Sequence, residues 1–276
     1  MSEEISFLIV IPTLNSFDKL KRLRKSIISQ DFTNWRVVYV DANSNKEHKD
    51  WLNACAESDQ RFFVYFENNE IKGIYPAMSY GAEFANKNDW VIFLGSDDWF
   101  SSDNSLSSIA KEIAHNTNQI KQKLIICGTQ FVEKKTNLII RINSVPNFRY
   151  TSNKNLAKSI FFGYVPAHQS LCFSQSLLQE LMPYSRKYYL AADSDLILKM
   201  LTLNNFNIVF IKKILINIQA GGLSSRFLFR RLKEVLIIYM NYFEYNFFLP
   251  FILRYLRKIF SRKKLFNMSN KLNNLP

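Results

Sequence analysis

Cysteine, histidine, glycine and proline are all scarce in this chain of 276 residues. The three cysteines, Cys55, Cys127 and Cys172, stand far apart without CxxC spacing, and the three histidines are equally scattered. A disulfide framework or a zinc cage is therefore not expected, and a reducing cytosol is the natural setting. Seven glycines and seven prolines exclude collagen-like and linker-like chains. The opening stretch is acidic where a signal peptide needs positive charge. The chain opens on Met1-Ser2-Glu3-Glu4, and the apolar run that follows is cut at Pro12, so export is not expected. The most apolar window near the C-terminus, 235–253, contains Asn241, Glu244, Asn246 and Pro250, which argues against a clean membrane span.

What is present is a core-forming composition, 47% hydrophobic and 15% aromatic, enough for one large α/β domain or a domain with an appendage. The net charge is +13, and it is unevenly placed. Between Arg226 and Phe266 ten Lys or Arg face two Glu, interleaved with aromatics. Such an excess suits nucleic acid, an anionic membrane or phosphorylated ligands. The interleaved pattern fits basic amphipathic helices lying on a membrane surface.

Periodicity gives the fold class. "ISFLIVIP" (5–12) reads as a buried strand, and Phe17, Leu20, Leu23 and Ile27 mark an amphipathic helix capped by Asn15 or Ser16. Strands are expected over 35–45, 62–67 and 89–96, with a helix near 76–86. This alternation predicts an open, mostly parallel sheet flanked by helices. Looser strands over 123–133 and 136–143 suggest an antiparallel extension, and "DSDLILKMLTL" (193–203) a helix with acids in its first turn.

Polar residues gather where those strands end: Thr13 and Asn15, then Asp41, then Asp97 and Asp98. In open α/β sheets, ligands bind at the carboxyl ends of strands. The adjacent pair Asp97-Asp98 is open to two readings. It terminates a strand and caps a helix, or it ligates a hard divalent cation that screens two like charges.

Read in order, seven stretches resemble glycosyltransferase family 2: "VIPTLN" (10–15), "VVYVDANSN" (37–45), "KGIYPAMSYG" (72–81), "FLGSDDWF" (93–100), "HQS" (168–170), "AADSDLILKM" (191–200) and "GGLS" (221–224). The resemblance spans about residues 5–225 and is closest to a subgroup of bacterial surface-polysaccharide enzymes. It departs from the family at Pro76, where the pattern has an aspartate, and at Ile71, where it has an acid.

The resemblance implies a Rossmann-like nucleotide-sugar domain over 1–225, followed by a basic aromatic helical tail over 226–276 that associates with a membrane or with another chain. It implies an inverting transferase that moves a sugar from a nucleotide-sugar, of UDP type, to a hydroxyl of a lipid-linked saccharide in O-antigen or capsule assembly. Mn2+ or Mg2+ would assist at the cytoplasmic face of the membrane. Residue by residue, Pro12, Thr13 and Asn15 would line the nucleotide, Asp41 would meet the base, Asp97 the ribose and Asp98 the metal. Asp193 would be the catalytic base with Asp195 as rival, since two positions on a helix, about 100° per residue, cannot both face the cleft. His168, Ser224 and Arg226 would contact diphosphate or acceptor.

Two other classes share part of this pattern. A nucleotidyltransferase would share the sheet and the metal, but "PTLNSFD" lacks the glycine-rich phosphate loop expected after the first strand. A nucleic-acid-binding protein would explain the charge, but not acids lining a cleft.

Overall fold

The computed structural model describes residues 5–67, 73–115, 122–147, 149–204, 206–222 and 227–273, with side chains in the last helix described as far as Ser261. A mixed ten-stranded sheet carries helices on both faces, as the alternation predicts. Its first four strands are β1 (Ser6–Thr13), β2 (Trp35–Asp41), β3 (Phe62–Phe66) and β4 (Asp89–Phe93), in spatial order β3-β2-β1-β4 and all parallel. The sheet continues through β9 (Leu171–Ser174), antiparallel to β4, then β6 (Gln122–Val132) and β10 (Asn207–Gln219), which are parallel to each other. Three short strands finish it. β5 (Trp99–Phe100) and β8 (Tyr150–Ser152) line the far edge of β10, and β7 (Ile139–Asn143) pairs with β6.

Helices α1 (Phe17–Ile28), α2 (Lys46–Ser58) and α4 (Ser105–His115) cover one face through Leu20, Leu23, Leu52, Leu106 and Ile109. The other face takes α3 (Ile74–Ala82), α5 (Asn153–Phe161), α6 (Gln175–Leu181), α7 (Ala192–Thr202) and α8 (Leu228–Phe243). Central strands buried on both faces read as unbroken apolar runs, and β1 is buried from Phe7 to Thr13. The helix expected near 76–86 begins earlier, at Ile74. Pro76 sits in its first turn, where the missing N–H has no intrahelical acceptor to lose.

No strand was predicted over 207–219, yet β10 is the longest in the sheet. Lys212 and Lys213 break its apolar run. The register shifts between Ile211 and Ile214 let the chain bulge there and turn both lysines to solvent while the flanking residues stay buried.

The C-terminal helix α9 (Phe248–Asn273) lies against α5, α8 and β7. It passes close to Gly163, which follows α5 with φ +84°. A Cβ there would stand 2.6 Å from the Leu253 carbonyl carbon and oxygen. Glycine therefore serves twice, for backbone conformation and for helix contact. Gly163→Ala is expected to cost about 2 kcal/mol in chemical denaturation by forcing α9 outward. An unchanged midpoint would show that α9 does not seat on this turn.

Candidate active site

Register decides which side chains meet. Thr13 pairs with Asp41, Asp41 with Phe66, and Val10 with Phe93, so four parallel strands end along one line. That edge carries Thr13, Asp41, Glu67 and the turn Gly95–Asp98.

Asp41 is 0 % exposed and saturated with donors. Its Oδ1 accepts from Thr13 Oγ1 at 3.0 Å and from the Ser44 hydroxyl, and its Oδ2 accepts from the Ser44 backbone N–H at 2.8 Å. His48 Nδ1 accepts from the Ser16 N–H at 3.2 Å, which leaves Nε2 protonated. That nitrogen lies 3.2 Å from Asp41 Oδ1 but out of line for a full hydrogen bond. Burial alone would raise the carboxyl, yet His48, Ser44 and Thr13 outweigh it and hold the group below its usual range. Asn15, at φ +45°, joins the same knot: its N–H donates to Ser44 Oγ at 2.8 Å and its Oδ1 accepts from Asn45 N at 2.9 Å. Two loops are thereby locked together around one carboxylate.

Glu67 is the opposite case. It follows β3, donates its N–H to the Asp41 carbonyl at 2.9 Å, and keeps Oε1 buried with no hydrogen-bond partner among the described residues. Burial, and then the Asp41 charge, push its carboxyl up to about 7.

Asp97 and Asp98 differ sharply. Asp97 is part-exposed, with Lys19 Nζ 3.3 Å from its Oδ2 and Arg22 donating to its carbonyl at 3.4 Å. Arg22 also lies flat on Trp99, 3.4 Å from the ring centroid, and donates to Gln219 Oε1 at 2.6 Å. A pocket of about 490 Å³ opens beside this group, lined among others by Asn15, Phe17, Lys19, Arg22 and Gln219. Asp98 is 2 % exposed, and its Oδ2 accepts from Gly95 N at 2.7 Å and Gln169 Nε2 at 3.1 Å. Burial, and then the neighbouring Asp97, push it up to about 7. Pro12 closes the group by accepting from Ser96 Oγ at 3.0 Å.

The 168–170 turn connects this edge to the second half of the site. Gln169 reaches Asp98, while the His168 ring is buried against Phe93 and hydrogen-bonded through Nε2 to Tyr184. Burial drives His168 down to about 4, so the imidazole is neutral. Asp193 lies within electrostatic reach of His168, Tyr75 and Tyr184 at the start of α7. Burial would raise Asp193, but Arg231 and then Arg254 outweigh it and lower the carboxyl, so it is ionised near neutrality. Asp195 faces elsewhere, toward Tyr188, Tyr242, Lys187 and Lys199, and burial raises it.

Sequence reasoning passed over the group that fixes Asp193. Glu234 of α8 accepts the Leu190 and Ala191 N–H groups at 2.7 and 3.1 Å, capping α7 from outside. Ser44, His48 and Gln169 were missed as well. One sign was available for Glu234, since it is one of two acids in the otherwise basic tail. Ser224 and Arg226 lie outside the described residues, as does Ile71.

The sheet is a mixed α/β fold whose acid-lined carboxyl edge lies where open sheets of this kind bind ligands. The model of glycosyl transferase family 2 matches residues 8–172, more than half of the chain, and the chain belongs to that family. It is 27% identical over 190 residues to PGL/p-HBAD biosynthesis glycosyltransferases of Mycobacterium bovis and Mycobacterium tuberculosis, covering 68% of this chain and 67% of theirs. Its fold is similar to that of S. aureus TarS (TM-score 0.66, 17% identity, 94% of this chain and 73% of that one). The mannosyltransferase PcManGT from Pyrobaculum calidifontis, in complex with GDP-Man and Mn2+, is similar as well (TM-score 0.60, 14% identity, 85% of this chain and 63% of that one).

Glu67 and Asp98 hold protons in the folded state that the unfolded chain releases near the ordinary carboxylate pKa. Stability from both is therefore present at low pH and is lost as pH rises toward about 7. Thermal melts of the metal-free protein from about pH 5 to about pH 8 should show this decline, with Glu67→Gln and Asp98→Asn each flattening part of it. A slope unchanged in both variants would place the titration elsewhere.

Proposed function

We propose that the protein is an inverting transferase moving a sugar from a UDP-sugar to a hydroxyl of a phosphate-bearing, lipid-linked saccharide in surface-glycan assembly. The single observation that carries this reading is Asp98, a buried carboxylate whose charge burial and Asp97 oppose, at the carboxyl edge of a parallel sheet. Structures of TarS in complex with UDP and with UDP-GlcNAc support the nucleotide class, and the mycobacterial PGL/p-HBAD biosynthesis glycosyltransferases support sugar transfer in a biosynthetic pathway.

A divalent cation fits this donor set. Asp98 is a hard oxygen ligand, and among the described residues no group of three or more His, Cys, Asp or Glu builds a complete cage, so diphosphate oxygens would supply the remaining ligands. When bound, Mn2+ or Mg2+ would neutralise charge on the leaving diphosphate. Asp97, part-exposed beside it, would accept from the ribose hydroxyls. Pro12, Thr13 and Asn15 would line the nucleotide. Asp41 is wholly enclosed, so its service to the base would run through the Thr13 and Ser44 hydroxyls that it orients. Asp193, ionised and held by the Glu234 cap, would take the proton of the acceptor hydroxyl as it attacks the anomeric carbon. Attack from the face opposite the diphosphate inverts that centre.

The tail supports work at a membrane. Phe229 and Tyr245 are 87% and 97% exposed on or beside α8, and Phe248, Ile259 and Phe260 project from α9 among Lys and Arg. Among the described residues no helix is long and apolar enough to cross a membrane, so the contact would be peripheral, at the cytoplasmic face. The alternative occupant of these helices is a second copy of the chain.

The test is a panel of UDP-sugars with Mn2+ and a lipid-diphosphate saccharide acceptor. Transfer is expected with one donor and lost in Asp98→Ala. Asp193→Asn should lower kcat by about 10²–10⁴-fold with nucleotide affinity unchanged, whereas Asp195→Asn should change kcat little. A larger loss at Asp195 would move the base there, and no transfer or donor hydrolysis with any donor would refute the function.

A further inference from the structure

Three basic side chains converge behind Asp193 from two helices that the family match does not reach. Arg254 of α9 is 4 % exposed, donates from Nη2 to Ser194 Oγ at 3.1 Å, and reaches Tyr239 OH from Nη1 at 3.4 Å. Ser194 adjoins Asp193. Lys258 lies one turn further along the same helix, its Nζ 5.0 Å from the centroid of the Tyr255 ring. Arg231 enters from α8, three residues before the Glu234 that caps α7. The Nε atoms of Arg231 and Arg254 are both buried without a hydrogen-bond partner among the described residues. Arg141, stacked on Phe131 at 3.6 Å, adds positive field from β7.

Burial, and then Arg254, Arg231 and Arg141, push the Lys258 ammonium down to about 6. That positive field favours the neutral Lys258 amine until an anion joins the group, and the Asp193 carboxylate is one counter-charge that reaches it. Clustered buried charges of one sign are unfavourable unless an anion joins them. Phosphoryl oxygens suit this set best, since they accept from guanidinium N–H groups and from an ammonium at once. A flat bilayer surface does not explain it, because Arg254 is enclosed by α7 and α8.

We infer that Arg231, Arg254 and Lys258 form a phosphate-binding pocket beside Asp193 that holds a phosphoryl group of the acceptor. Assignment to the acceptor rests on the reading of Asp193 as the base; the pocket itself does not. The donor diphosphate is the other source of the same chemistry. The pocket would place a phosphate-linked saccharide with its hydroxyl at Asp193, and it would make the acceptor's phosphate, rather than its sugar alone, a determinant of recognition.

The experiment titrates inorganic pyrophosphate into the metal-free full chain by calorimetry. Binding is expected in the wild type, about tenfold weaker in Lys258→Gln and in Arg231→Gln, and restored in Lys258→Arg. These two positions are chosen because Arg254 is deep enough for its loss to threaten the fold. Asp98→Asn should bind pyrophosphate like the wild type. Equal affinity in the wild type, Lys258→Gln and Arg231→Gln would overturn the pocket. Repeating the titration with saturating UDP and Mn2+ separates the two sources. Undiminished binding supports an acceptor phosphate, and displacement by UDP overturns that assignment in favour of the donor. If no UDP-sugar is ever transferred while pyrophosphate binding still follows Arg231 and Lys258, the proposed function fails and the pocket stands.

Discussion

The constraint on which this site depends is that several carboxylates end up along one edge of a parallel sheet, out of water, and each must find its own compensation. Parallel pairing leaves no freedom in the matter: once Val10 is in register with Phe93 and Thr13 with Asp41, the acids that follow are neighbours. The molecule settles them in three ways. Asp41 is supplied with hydroxyl and backbone donors, has the His48 ring 3.2 Å away, and stays ionised. Asp97 is left near the surface under Lys19. Glu67 and Asp98 receive too little, and burial raises both toward neutrality. A group that sacrifices its charge in the free protein is one that a ligand can restore, which is why these two acids, rather than the saturated Asp41, mark where binding energy is available.

The second half of the site is built by elements distant in sequence. Gln169 ties the 168–170 turn to Asp98, His168 packs as a neutral ring beneath it, and Tyr184 bonds that ring. Helix α7 then presents Asp193 while α8 caps it and α9 supplies buried positive charge. The tail helices therefore have two sides. Val235, Ile238 and Tyr239 belong to the same core as α7, and the opposite side carries the exposed aromatics. A membrane contact on the outer side would be mechanically joined to the start of α7 on the inner side through Glu234 and Arg254.

The first four strands were legible because each is a continuous apolar run closed by a polar residue, and the acids at their ends could be named from that alone. The distinction between Asp193 and Asp195 needed only helical geometry to be posed, but the neighbours of each had to be seen to separate them. What could not be read divides into two kinds. β10 was hidden by Lys212 and Lys213, since a bulge that expels two residues leaves no trace in an alternation pattern. Ser44, His48, Gln169, Glu234 and Arg254 were hidden because their partners lie outside any local window. Glu234 and Leu190 are 44 residues apart, and Gln169 and Asp98 are 71 apart. His168 was read as a candidate contact for diphosphate or acceptor, and its burial with Tyr184 gives it a packing role in the free protein.

The central claim is that Asp98 becomes a charged ligand only when a nucleotide diphosphate completes the cation's shell. The most direct measurement is a titration of Mn2+ followed by the paramagnetic resonance signal of the free ion, with and without UDP, in the wild type and in Asp98→Asn. The expected result is weak binding to the wild type alone, at least tenfold tighter binding once UDP is present, and no such gain in Asp98→Asn. The same UDP-dependent gain in Asp98→Asn would contradict the account.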